Sequence, residues 1–182
     1  LTFYVFHRIA HTGLLWELHK THHAADDLII ITNFRNHPLD TGIRTIFYLV
    51  PAGLLGVPPL VVIAYSIFSG FLVLMQHTDM NWNMPFIEKY LFIGAKGHRI
   101  HHSRAEEHQN KNLGYLVLWD WMFGTLYDTD DKITVGIQEL DDLKHIHNPE
   151  NIGSNLWGVY LETIRAFFVF LGTTLRLRKV GN

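Results

Sequence analysis

The chain has 182 residues, enough for one domain with a sizeable core, and a net charge of −2 that gives no reason to expect a nucleic-acid partner. Cysteine is absent, which excludes disulfides, thiolate metal sites and thiol nucleophiles; histidine occurs 13 times, against 15 lysines and arginines together. Metal chemistry must therefore run on imidazole, carboxylate and water.

Residues 1–25 are compatible with helix and carry five histidines. Residues 1–6 are too short to span a bilayer, which takes about 20 residues of helix, and no charged leader or small-residue cleavage site is present. They read as the exit end of a helix that begins further upstream, so residues 1–182 are expected to be an N-terminally truncated fragment of a single domain. A connector, residues 26–40, ends in His37-Pro38-Leu39-Asp40. Residues 43–77 form the dominant apolar tract, with Arg44 as its one charge and Gly56-Val57-Pro58-Pro59 as its central break. A tract of about 35 residues interrupted by two prolines predicts two membrane helices in an antiparallel hairpin. A kinked helix pair buried in a soluble protein is the alternative. Residues 78–149 are polar. Residues 155–175 predict an amphipathic helix at the interface, because Glu162 and Arg165 interrupt its apolar run and Arg176, Arg178 and Lys179 close it. The fold class is all-α.

Arg8, Lys20, Arg35 and Arg44 precede or open the tract, and Lys89, Lys96, Arg99 and Arg104 follow it. Cationic flanks favour the cytoplasmic side, and a hairpin returns to the side it left. The early and late histidines are thereby expected in one cytoplasmic cap.

Three clusters carry the chemistry. His7 and His11 form HxxxH; His19, His22 and His23 form HxxHH; His98, His101 and His102 form HxxHH again. On a helix, residues three and four apart share a face, so each cluster can aim two or three imidazoles at one point. Eight imidazoles exceed the ligand number of one ion, and two ions are the simpler count. Imidazole suits iron, zinc, copper and nickel alike. His77, at the end of the apolar tract, is a plausible ninth ligand and His37 a weaker candidate, while His108, His145 and His147 read as solvated. Asp120, Asp26, Asp27 and Glu17 are candidates to accept the outward N–H of ligand imidazoles. Trp119, Trp121, Phe123 and Tyr127 read as packing residues.

The order HxxxH, HxxHH, apolar hairpin, HxxHH resembles the fatty acid hydroxylase/sterol desaturase superfamily of membrane di-iron enzymes, in particular its alkylglycerol-monooxygenase-like and bacterial sterol-desaturase-like branch. Beyond the histidines, His7-Arg8, the stretch from Trp16 to His23, the Arg35 to Leu39 segment, Gln76-His77-Thr78, Asn112-Leu113-Gly114 and Trp119-Asp120 with Phe123-Gly124-Thr125 all follow the family pattern, over residues 3–128. Leu113 stands for the usual tyrosine and Trp121 for the usual arginine. Val73 and Asn81 stand where some relatives place a further histidine.

The resemblance implies a metal set of His7, His11, His19, His22, His23, His77, His98, His101 and His102, two iron ions, and dioxygen as co-substrate. The implied reaction hydroxylates or desaturates a C–H bond of a sterol, fatty acyl or ether lipid. Two further electrons are needed, and no dinucleotide or flavin motif is present, so a small electron carrier with an NAD(P)H reductase is the expected partner. Lys96, Arg99 and Arg104 could dock such a carrier or anchor on anionic lipid. Rival readings are a carotenoid-ring hydroxylase, a di-zinc membrane hydrolase and a non-catalytic metal protein. A hydrolytic zinc site usually keeps a carboxylate close to the metal, and none lies inside the clusters.

Overall fold

A computed structural model describes residues 1–78, 84–137, 164–165 and 167–172, and among these the chain is helical, without a strand. Seven α-helices follow in order: α1 (Thr2–Ala10), α2 (Trp16–His23), α3 (Pro38–Leu54), α4 (Pro59–Gln76), α5 (Pro85–Tyr90), α6 (Ala95–His101) and α7 (Val117–Met122). Short 3-10 turns occupy Ile30–Phe34 and Glu106–His108.

The histidine helices are short and are held by packing rather than length. In α1 the buried side chains Tyr4, Phe6, His7 and Ala10 lie on one face. Phe6 and Ala10 meet Leu15 and Leu18, and Ile43 and Phe47 of α3 pack on the same cluster. Full burial of a side chain such as Phe6 contributes about 1.5–3 kcal/mol. One apolar cluster thus ties α1 and α2 to the base of α3.

Helix α3 starts earlier than the apolar tract suggests. His37 caps it, its Nδ1 accepting the Leu39 N–H at 3.1 Å, and Pro38 occupies the first turn, where no N–H is needed. Asp40 and Arg44 are therefore part of the helix. The apolar run left after Arg44, residues 45–54, rises about 15 Å, half the thickness of a bilayer core. Helix α4 has 18 residues of mean hydropathy 1.9 with 6% of them buried, and it is the one helix among the described residues long and apolar enough to cross a membrane. Two such helices are expected and α4 is one; α3, at 17 residues with Asp40 and Arg44 in its first half, is a little shorter. Between the helices, Gly56 takes a left-handed φ of 65°, which glycine adopts without strain, and the Val57 N–H donates to the Ala52 carbonyl at 2.9 Å.

Large apolar side chains face outward along both helices, among them Leu49 and Leu54 on α3 and Leu60, Ile67 and Phe71 on α4. An outward apolar surface of this extent suits lipid better than water. Residues 164–165 and 167–172 are helical, and Phe170 packs against the α1–α2 cluster. The remainder of the helix expected over residues 155–175 lies outside the described residues, as do His145, His147 and Asn81.

Ile67 is 69% exposed near the middle of α4. Its replacement by arginine is expected to penalise membrane insertion of that helix by about 2.5–3.5 kcal/mol, read as a lower inserted fraction in a translocation assay.

Candidate metal centre

The structure gathers all nine histidines expected at the site into two groups. His7, His11, His19, His23 and His101 form one, and His22, His77, His98 and His102 the other; within each, the potential ligand atoms all lie within 4.8 Å of one another. All are buried except His11, which is partly so. The groups adjoin, with the His23 ring stacked on His102 at 4.2 Å and His101 beside His102 at 5.3 Å between ring centres. The sequence clusters do not map one to one onto these groups. Each HxxHH triplet is divided: α2 gives His19 and His23 to the first group and His22 to the second, while α6 and its cap give His98 and His102 to the second and His101 to the first.

The protons can be placed from the outer nitrogens. His7 Nδ1 donates to the Leu113 carbonyl at 2.7 Å, His101 Nδ1 to the Lys111 carbonyl at 2.8 Å, and His77 Nδ1 to the Val73 carbonyl at 2.9 Å. A carbonyl only accepts, so in the neutral ring the proton is on Nδ1 and Nε2 carries a lone pair. Burial, followed by the neighbouring imidazoles, holds His7 well below its ordinary pKa, and burial pushes His101 down to about 3. The rings are therefore neutral at physiological pH. Yet His7 Nε2 and His101 Nε2 face each other at 3.1 Å with no hydrogen to share.

That separation fits a shared cation. Two nitrogens each about 2.1 Å from one ion lie about 3.0 Å apart at a right angle and about 3.4 Å apart at a tetrahedral angle. The Nε2–Nε2 separations are 3.1 Å for His7–His19, 3.1 Å for His98–His102 and 3.3 Å for His77–His98. His11 Nε2, His23 Nε2 and His22 Nδ1 are buried without any hydrogen-bond partner. Each unpaired buried group costs about 1–3 kcal/mol, a cost that coordination removes. Donor type, pitch and unsatisfied nitrogens all suit two metal ions with nitrogen ligands.

A loop holds the carbonyls in place. Asp120, fully buried, accepts the Leu113 N–H at 2.7 Å and the Thr125 hydroxyl at 2.7 Å on Oδ1, and the Gly114 N–H at 2.8 Å on Oδ2. Gly114 has no room for a side chain, since a Cβ there would sit 2.7 Å from Asp120 Oδ2. Asn112 donates to the Gly97 carbonyl in α6 at 3.0 Å and to Tyr127 at 2.9 Å, pinning the other side of the loop. The Leu113 side chain is fully buried and its main chain meets His7, so leucine in place of tyrosine leaves that contact intact.

Several expectations need correction. Asp120 reaches His7 through the Leu113 peptide and touches no imidazole directly. Asp26 pairs with Arg104 at 3.0 Å, Glu17 pairs with Lys20 at 2.7 Å, and Asp27 is exposed. The carboxylate facing an imidazole of these groups is Asp40, 1% exposed, with Oδ1 3.3 Å from His19 Nδ1; the pair is within ion-pair distance but makes no hydrogen bond. Its sequence signal was weak, a lone acid at the edge of an apolar tract. His108 is buried rather than solvated, with Nδ1 2.8 Å from Ser103 Oγ, and lies outside both groups. His37 is a helix cap. Lys96 is engaged by Asp128 and Asp130, Arg104 by Asp26, and Arg99 donates to the Thr78 carbonyl at 3.4 Å, so none of the three is a free docking cation. Trp121 is 69% exposed, not packed, while Phe123 stacks on Tyr4 at 5.0 Å.

Beside the histidines lies a cavity of about 770 Å³ between α3 and α4. Val73, whose carbonyl holds His77, lines it, as does Tyr115. Tyr115 stacks on Phe3 at 3.6 Å, and Phe3 in turn lies 5.0 Å from His7. Val73 thus separates the cavity from His77, and Tyr115 and Phe3 separate it from His7.

Two adjoining buried all-imidazole groups at ligand spacing in a helical protein define a candidate metal centre. The chain belongs to the fatty acid hydroxylase family, whose model matches residues 1–125. Alkylglycerol monooxygenase from Homo sapiens is 34% identical over 140 residues, that from Danio rerio 33% over 137 and that from Xenopus tropicalis 30% over 137. Each alignment covers 74% of this chain, which spans 30% of the length of those relatives. No solved structure matches the chain significantly.

Asp120→Ala leaves the buried Leu113 and Gly114 N–H groups without their acceptor and loosens the Leu113 carbonyl. Metal affinity is expected to fall about 10–100-fold, measured as metal bound per folded chain against metal concentration. The acid response has a definite sign. Folded-state pKa values of His7, His11, His22, His23, His98, His101 and His102 are lowered chiefly by burial. The unfolded chain binds protons on these residues below about 6.5, so stability is lost as pH falls from there toward the folded values. The denaturation midpoint of the metal-free chain should drop between pH 7.5 and pH 5.5.

Proposed function

We propose that this chain is the metal-bearing part of a dioxygen-dependent di-iron oxidoreductase that hydroxylates or desaturates a lipid C–H bond. The observation that carries this reading is the pair of adjoining all-imidazole groups, with lone pairs facing at ligand spacing, near a cavity between two apolar helices. The names of the relatives, alkylglycerol monooxygenases, make an ether lipid a natural substrate class beside sterol and fatty acyl chains. A carotenoid-ring hydroxylase has no observation of its own in favour here. A di-zinc hydrolase fits less well, because among the described residues neither group includes a carboxylate.

His7, His11, His19, His23 and His101 would hold one iron, and His22, His77, His98 and His102 the other. When bound there, the two ions supply the redox chemistry that couples dioxygen to oxidation of a C–H bond. The protein's own contribution is placement. The carbonyls of Leu113, Lys111 and Val73 keep a proton on Nδ1 of His7, His101 and His77, so that Nε2 remains a donor toward the metal. The cavity walls orient the lipid and exclude water. Hydroxylation consumes dioxygen, two external electrons and two protons to yield an alcohol and water; desaturation yields an alkene and two waters. The electrons come from an external carrier and its NAD(P)H reductase.

In the membrane, α3 and α4 act as a helical hairpin with the histidine-rich helices as a cytoplasmic cap. The cationic flanks support that side. The chain acts as one domain.

His101→Ala is expected to lower product formation by at least about 100-fold per folded protein, with membrane insertion unchanged, since α4 is untouched. The assay supplies dioxygen and an electron donor, and iron is counted after anaerobic purification. Full activity in the variant, turnover without dioxygen, or zinc in place of iron in the active protein would each overturn the reading.

A further inference from the structure

The cavity between α3 and α4 contains one feature that a neutral lipid does not explain. Arg44 lines it and is partly buried. No hydrogen bond or ion pair engages its guanidinium among the described residues. The acid one turn before it on the same helix, Asp40, faces His19 instead. A partly desolvated cation in an apolar setting is costly unless an anion meets it. The hydroxyl-bearing Thr41 and Thr45 line the same end of the cavity, whereas Ala52, Val61 and Val62 line it toward the turn. From Arg44 to the end of α3 the cavity follows the helix for about 15 Å. Its volume falls in the range of sites for a single small ligand, about 300–1,000 Å³.

We propose that this cavity binds a single-chain anionic amphiphile, with the headgroup on Arg44 and the alkyl chain running between α3 and α4 toward Gly56. Guanidinium recognises a carboxylate and a phosphate by the same paired hydrogen bonds, so a fatty acid and a lysophosphatidate are two sources of one chemistry. The inference rests on the lipid-oxidising reading for its biological sense, but binding requires neither metal nor turnover, and the two can fail separately.

The test uses the full chain in nanodiscs of zwitterionic phosphatidylcholine, without added metal, and equilibrium binding of three radiolabelled probes of equal chain length. These are a fatty acid, an alkyl lysophosphatidate and a neutral monoalkylglycerol. Saturable binding of an anionic probe about tenfold tighter than the neutral one is expected, and the two anionic arms tell carboxylate from phosphate. Arg44→Gln should bring the anion-to-neutral ratio close to one, and Arg44→Lys should restore part of it. Equal binding of all three probes by the unaltered chain would sink the proposal. So would a ratio that survives Arg44→Gln, or a variant that loses affinity for all probes equally, which would mark Arg44 as structural. Anionic probes that partition without saturation would show that the guanidinium reaches bilayer phosphates instead. Loss of turnover with the binding pattern intact would strike at the oxidoreductase reading alone.

Discussion

The position of a single proton on each buried imidazole governs this structure. A histidine that donates Nδ1–H to a main-chain carbonyl has one lone pair left, and its direction is fixed by the ring. His7, His77 and His101 are held in this way, by carbonyls of Leu113, Val73 and Lys111. Burial keeps His7 and His101 neutral, and neutral rings at 3.1 Å with lone pairs opposed do not attract each other. The arrangement persists because packing imposes it: Phe6, Ala10, Leu15 and Leu18 clamp the helices from behind. The fold stores unsatisfied donors at a point where a cation can use them.

The polar loop after α6 acquires its purpose from that requirement. Residues 111–114 are an irregular segment, with Asn112 at a φ of 52°, and their carbonyls could point anywhere without support. Asn112 ties the segment to α6, and Asp120 receives its amides. Burial raises the Asp120 carboxyl while the donated hydrogen bonds and Arg8 oppose the shift, so the buried carboxylate is matched by the donors around it. The Asn-x-Gly and Trp-Asp segments are thus parts of one device that aims two imidazoles.

What was legible in the sequence follows from which features leave a residue-type signature. The nine histidines stand out because spacing and composition both mark them, and the structure gathers the same nine. Asp40 does not stand out, because its meeting with His19 depends on α3 starting at Pro38, upstream of the apolar tract. His108 looks solvated in its polar neighbourhood and is buried only because Ser103 and the Tyr127 ring close over it. A carbonyl that orients a histidine has no signature at all, since every residue carries one. The start of α3 was hidden for a related reason: hydropathy counts apolar residues, whereas α3 is laid down by its cap and takes two charges with it.

The division of the HxxHH triplets has a consequence for assembly. On both helices the histidines four residues apart fall in one group and the histidine adjacent to the last of them falls in the other, because neighbouring side chains on a helix point about 100° apart. Each helix is therefore a common axle for two sites. The packing that fixes the rotation of α2 and α6 aims rings at both groups at once. Were each group to take an ion, as proposed, a change that turned either helix would disturb both sites together rather than one alone.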